Sequence, residues 1–173
     1  MLNRIYTIGH STRTLDELVF LLRDHGVTRL ADVRRYPGSR RHPHFSRESL
    51  ERSLPFAYEH IEDLGGRRSA AKDSPNGAWD NPQFRGYADY MGTAPFQAAV
   101  DRLLDSEHAT AVMCAEAVPW RCHRNLLADE LVRRGVEVIH IVGPGSAQPH
   151  ALSKMARIED DCVIYPPPQA EMF

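Results

Sequence analysis

Between Cys114 and Arg124 the chain reads Cys-Ala-Glu-Ala-Val-Pro-Trp-Arg-Cys-His-Arg, its densest run of side chains capable of chemistry. Pro119 marks the approach to a helix predicted over 121–134, which places Cys122 and His123 in the first turn. Unpaired backbone N–H groups and the positive end of the helix dipole favour an anion there. Arg121, Arg124 and a protonated His123 add to the effect, so Cys122 is expected to ionise below the ordinary thiol value of about 8.5 and is the best candidate nucleophile. A cysteine that is merely buried is the competing reading. His123, Leu127 and Leu131 recur every four residues, which turns His123 towards the packed side of the helix.

Those residues need elements to hold them. Residues 4–9 form a β-type run, after which Thr14 and Glu17 make a capping box in front of Leu15, Leu18, Val19 and Leu22. Gly26 stops that helix, and 29–33 reads as a second strand running into Arg34, Arg35 and a Pro37-Gly38 turn. A short helix is predicted over 46–54 and a third strand over 57–61. Phe84, Tyr87, Ala88 and Met91, then Phe96, Val100, Leu103 and Leu104, give two helices broken near 92–95. Residues 109–114 and 136–142 are nearly continuous apolar strands, as buried parallel strands are. The order, with no hairpin turn between the apolar runs, predicts an α/β fold: an open, mostly parallel sheet of about five strands with helices on both faces. One domain is expected over 1–145. Within it, 65–82 is a long polar surface loop, read either as a lid or as a disordered insertion. Residues 146–173 are read as a C-terminal extension or tail, with Gly143-Pro144-Gly145 as a turn signal only.

In an open parallel sheet the loops leaving the carboxyl ends of the strands gather on one edge, where such folds bind ligands. That rule selects His10 and Ser11 after the first strand, Asp32, Arg34 and Arg35 after the second, His60 and Glu62 after the third, and Cys114 and Glu116 after the fourth. Each has an ordinary alternative: Ser11 a loop cap, Asp32 a buried ion-pair partner, His60 a satisfied core histidine. As a set they suggest an anion site. Arg34, Arg40 and Arg124 would hold the anion, His10 or Glu116 would move protons, and Cys122 would attack.

Several established patterns do not fit. Tyrosine-phosphatase chemistry needs an arginine six residues after its cysteine, but Trp120 and Ala128 stand at those positions. Cys114 and Cys122 lie too far apart in the chain for a thioredoxin-like motif, so no dithiol site is expected from spacing. His60-Ile61-Glu62 lacks the Pro-Cys-x-x-Cys half of a zinc-deaminase signature. Neither a P-loop nor a dinucleotide glycine fingerprint occurs. Cys114, Cys122, His123 and His10 could together suit zinc or iron, but their spacing is not diagnostic and no residue is assigned as a metal ligand.

Composition bounds these readings. The chain has 173 residues with 42% hydrophobic and 25% charged, close to the average for folding domains, which excludes wholesale disorder and rod-like repeats. Three cysteines, an odd number, do not make a disulfide framework and point to a reducing cytoplasm. No apolar run is long enough for a bilayer, so no membrane partner is expected. The net charge of −2 hides a basic segment from Arg29 to Arg47, where six arginines and two histidines stand with only Asp32 among the acids preceding Arg47. Such a segment suits phosphate or carboxylate.

The ordered motifs Thr7-Ile8-Gly9-His10-Ser11, Asp32-Val33-Arg34 with Pro37-x-Ser39-Arg40, Tyr58 and His60 before Leu64-Gly65-Gly66, Met113-Cys114-Ala115-Glu116 and Cys122-His123-Arg124 together resemble a bacterial and archaeal family, domain of unknown function 488. The resemblance covers nearly all of 4–142. It implies a compact α/β domain with these motifs near one edge, and no particular reaction. The residues themselves suggest an intracellular enzyme for a small anionic, nucleotide-like or nucleic-acid-like ligand. The alternative is a noncatalytic nucleic-acid-binding or metal-binding module.

Overall fold

In the computed structural model, which describes residues 1–38 and 40–169, five parallel strands and one antiparallel edge strand form a single sheet. The strands are β1 (Arg4–Gly9), β2 (Arg29–Asp32), β3 (Ala57–His60), β4 (Thr110–Cys114), β5 (Glu137–Gly143) and β6 (Ser146–Pro149), in spatial order β3-β2-β4-β1-β5-β6. Ser39, part of one motif, lies outside the described residues.

Alternation along the strands feeds two cores. Ile8, Leu30, Ala111 and Met113 meet Leu18, Leu21 and Leu22 of α1 (Leu15–Asp24) and Leu50 of α2 (Arg47–Ser53). On the other face Ile5, Ala31, Val112 and Cys114 meet α3 (Pro82–Met91), α4 (Ala94–Leu104) and α5 (Arg124–Arg133). Period-two side-chain alternation is what lets one strand serve both layers. The Thr14–Glu17 capping box is formed, and Gly26 ends the α1 turn at a φ of +71°.

Adjacent β1 and β4 end together, with Gly9 paired to Cys114. From these two ends the chain leaves towards opposite faces, into α1 after β1 and α5 after β4. That is the switch point at which open α/β sheets form their crevice.

Three features differ from the sequence expectation. The sheet has six strands rather than about five, because Gly143-Pro144-Gly145 turns a hairpin, with Gly145 at φ +65°, and lays β6 against β5. The helix predicted from Arg121 starts at Arg124; Pro119–Arg121 form a separate 3-10 turn, and Cys122 is extended at φ −137°. The segment after 149 forms a further hairpin, β7 (Arg157–Glu159) with β8 (Cys162–Ile164), and buries Tyr165 completely. Tyr165 is a pin: its N–H donates to Asn76 Oδ1, its carbonyl accepts from Ala78 N–H, and its hydroxyl donates to Asp129.

The 65–82 loop is fastened rather than free. Asp89 of α3 accepts from Ala71 N–H, Ser74 Oγ and Asn76 Nδ2, and Trp79 packs edge-on against Phe84 and Tyr165. No helix among the described residues is long and apolar enough to cross a membrane.

Candidate active site

The 115–123 segment folds back across the end of β1, and Gly9 is what permits it. A Cβ on Gly9 would lie 1.6 Å from the carbonyl oxygen of Glu116, a distance no side chain tolerates. His10 and Ser11 N–H groups donate to the Cys114 and Ala115 carbonyls and hold the segment down, with Ser11 at a φ of +48°. The result brings Cys122 Sγ to 2.7 Å from Cys114 Sγ, correcting the expectation from spacing that no dithiol would form. Both thiols are free and buried.

Outside them opens a cavity of about 280 Å³, lined by Cys114, Cys122, His123 and Glu116 and by four arginines, Arg34, Arg35, Arg67 and Arg121. The loop at Gly65-Gly66 closes one side, passing so near Arg35 and His123 that a Cβ would sit 2.6 Å from Arg35 Cα or 2.9 Å from His123 Nδ1.

The electrostatics distinguish the two thiols. Burial pushes Cys114 well up, and its hydrogen bond to Cys122 adds to that. For Cys122 burial also acts upward, but the Cys114 hydrogen bond, the Arg124 charge and the Arg124 backbone N–H, 3.5 Å from the sulfur, outweigh it and leave the thiol below its ordinary value. Helix start and cation therefore act on Cys122 as expected, although it stands just outside the helix rather than in its first turn.

Arg124 completes this balance. It is fully buried, donates from Nη1 to Thr7 Oγ1 and from Nη2 to the Glu116 carbonyl, and its Nε has no partner. No carboxylate pairs with it among the described residues, and a buried cation needs a counter-charge. Cys122 is a group that can supply one on ionising, and the Arg124 charge favours that form. Arg124, expected from the sequence to hold an anion, does not line the cavity; its charge bears on the Cys122 sulfur.

His123 lies beside the thiol. Its Nε2–H donates to the Val33 carbonyl at 2.9 Å, which fixes the tautomer and leaves the Nδ1 lone pair 3.5 Å from Cys122 Sγ. Burial, chiefly, keeps the ring neutral by lowering its pKa. The ring packs 4.9 Å from that of Tyr87 on the buried side of α5, as the helical spacing required.

The remaining sequence candidates take other places. Asp32 is fully buried and accepts from Arg34 Nε at 2.9 Å, from Arg34 Nη2 at 2.7 Å and from the Tyr58 hydroxyl at 2.6 Å. It orients Arg34 and does not line the cavity. His60 donates to the Arg34 carbonyl at 2.6 Å and so fixes the same turn from β3. His10 donates from Nδ1 to the Ser11 carbonyl and stacks on Phe45, with its Nε2 3.4 Å from Arg34 Nη1. Burial holds it neutral by lowering its pKa to about 4, and it does not line the cavity. Ser11 and the exposed Arg40 also lie off the cavity. Glu116 does line it; its side chain is exposed, and it has no partner among the described residues.

Sequence reasoning missed Arg67 and the exposed Tyr36, whose ring has the Arg35 and Arg67 guanidiniums 5.6 and 5.7 Å from its centroid. Arg67 follows Gly65-Gly66 in a loop without periodicity, and only those glycines signalled a close approach. Among the described residues no three His, Cys, Asp or Glu side chains converge as metal ligands. Cys122 has Cys114 Sγ and His123 Nδ1 beside it, and the His123 Nε2–H is held by the Val33 carbonyl.

A family model, described as domain of unknown function DUF488, matches residues 14–131. No curated protein and no solved structure matches the chain.

Proposed function

Because the chain belongs to the DUF488 family, which carries no assigned reaction, we propose a function from the site alone: an enzyme that binds a small anionic, nucleotide-like ligand and attacks it with Cys122. One observation carries this reading, a thiol pushed towards its ionised form, against its burial, by the Cys114 hydrogen bond and a buried arginine, and opening into an arginine-lined cavity. His123 Nδ1 takes the thiol proton, and Glu116 is placed to give or receive a proton on the ligand side. Arg35, Arg67 and Arg121 supply charge for phosphate or carboxylate. Tyr36, exposed between two guanidiniums, offers a face on which a base can stack. A volume of about 280 Å³ suits one small molecule rather than a duplex. Three free thiols suit a reducing compartment, and a cytoplasmic location is part of the proposal.

A noncatalytic nucleic-acid module would instead use the exposed Arg40 and Arg41. Calorimetric titration separates the two. A nucleoside monophosphate is expected to bind at one saturable site with weak salt dependence, and Arg67→Glu with Arg121→Glu is expected to weaken it by tenfold or more. Binding of duplex alone, with a steep loss of affinity on adding salt, would overturn the enzyme reading.

A further inference from the structure

We propose that Cys114 and Cys122 close into a reversible intramolecular disulfide when a low-molecular-weight disulfide enters the cavity, taking the nucleophile out of action. This rests on the reading of Cys122 as the nucleophile and supplies the regulation of that same site.

Geometry is the first argument. Two thiols 2.7 Å apart need a shift of under an ångström to reach the S–S bond length of about 2.05 Å. They stand on different segments, Cys114 at the end of β4 and Cys122 after the Pro119–Arg121 turn, so the loop between them can take up that shift. Both line the cavity, which gives an oxidant its route. The third cysteine, Cys162, sits on β8 and takes no part.

The asymmetry of the pair is the second argument. Exchange requires one thiolate to attack and a second thiol to resolve. Cys122 has the Arg124 backbone N–H and the His123 lone pair at 3.5 Å, whereas the hydrogen-bond partners of Cys114 among the described residues are Cys122 and, at 3.8 Å, the Glu116 carbonyl. Cys122 Sγ, its proton passed to His123, attacks one sulfur of the small disulfide. That S–S bond breaks, a mixed disulfide forms on Cys122, and the first small thiolate leaves. Cys114 gives its proton to that thiolate and its sulfur attacks Cys122 Sγ. The mixed disulfide breaks, and the second small thiolate leaves with the proton held by His123. The protein dithiol loses two electrons and two protons, and the small disulfide gains both as two thiols. The arginine rim favours an oxidant bearing carboxylates.

The test treats the purified full chain with glutathione disulfide, blocks remaining thiols with N-ethylmaleimide, and maps peptides by mass spectrometry. The expected result is a linked Cys114–Cys122 peptide pair, one blocked thiol at Cys162, loss of Cys122 alkylation, and full recovery with dithiothreitol. Cys114→Ser is expected to stop at glutathione on Cys122. A wild-type chain that keeps glutathione on Cys122 overturns the inference, as does one in which all three thiols stay blockable. If Cys122 is alkylated rapidly in that chain, only the disulfide falls; if it is as slow as an ordinary buried thiol, the nucleophile reading falls with it.

Discussion

A fully buried guanidinium that pairs with no carboxylate among the described residues sets the character of the site, because its charge favours the ionised form of the Cys122 sulfur. Two further buried side chains are held in the opposite sense, neutral where they would ordinarily titrate. Burial lowers the pKa of His10 to about 4 and, with His150 and Arg124 opposing charge, lowers that of His140 to about 3. Both lie below the unfolded value near 6.5, so the unfolded chain binds more protons through this window and acid favours it. Their contribution is complete above pH 6.5 and is lost as the pH falls towards the folded values, at about 2 kcal/mol per histidine between pH 7 and pH 5. The urea midpoint is therefore expected to fall over that range, and His10→Gln to remove roughly half of that fall; a midpoint level from pH 7 to pH 5 would contradict the assignment. None of this was legible from the chain. His10 was read as a proton carrier because a histidine leaving a strand gives no sign of whether it is buried, and only Phe45 and Arg34 packed against it decide that.

At the scale of elements, α5 serves two ends at once. Its start presents Arg124 to Cys122, and its middle carries Asp129, which accepts from His150 Nε2 at 2.7 Å, Ser153 N–H at 2.9 Å and the Tyr165 hydroxyl at 2.7 Å. A chain of hydrogen bonds runs from Arg124 through Thr7, His140 and His150 to Asp129. Asp129→Asn is expected to cost on the order of 2–4 kcal/mol, because it weakens three bonds to a fully buried carboxylate. Hydrogen exchange would then rise across 150–165, while the sheet strands stay protected; equal exchange in both chains would show that the pin lies elsewhere. The sequence announced α5 and both flanking apolar strands by period alone. It did not announce the tail, because a three-residue strand and one tyrosine carry no period, and Tyr165 is anchored by partners 36 and 89 residues away.

For the molecule as a whole, the strands and their mostly parallel arrangement were legible because buried parallel strands are apolar throughout and helices alternate with them. The sixth strand was hidden by its composition: Ser146–Pro149 is exposed at every position and carries no hydrophobic signal. The site was half legible for a related reason. The carboxyl-edge rule selected Cys114, Glu116 and Arg34, which do line one cavity, and the run after Pro119 gave Cys122 and His123. The same rule selected Asp32, His60 and His10, which build the wall behind Arg34 instead. Position at an edge says which residues are near; which way each side chain turns depends on carbonyls such as those of Val33, Arg34 and Ser11 that no motif records.

The rate of Cys122 alkylation by iodoacetamide as a function of pH, followed by peptide mass in the wild type and in Arg124→Met, tests the central claim most directly. The wild type should react at pH 7 faster than a free cysteine and along a curve shifted to lower pH, with inorganic phosphate slowing it and Arg124→Met moving the curve back upward. A wild-type Cys122 that titrates at or above the ordinary thiol value, indifferent to Arg124, would contradict it.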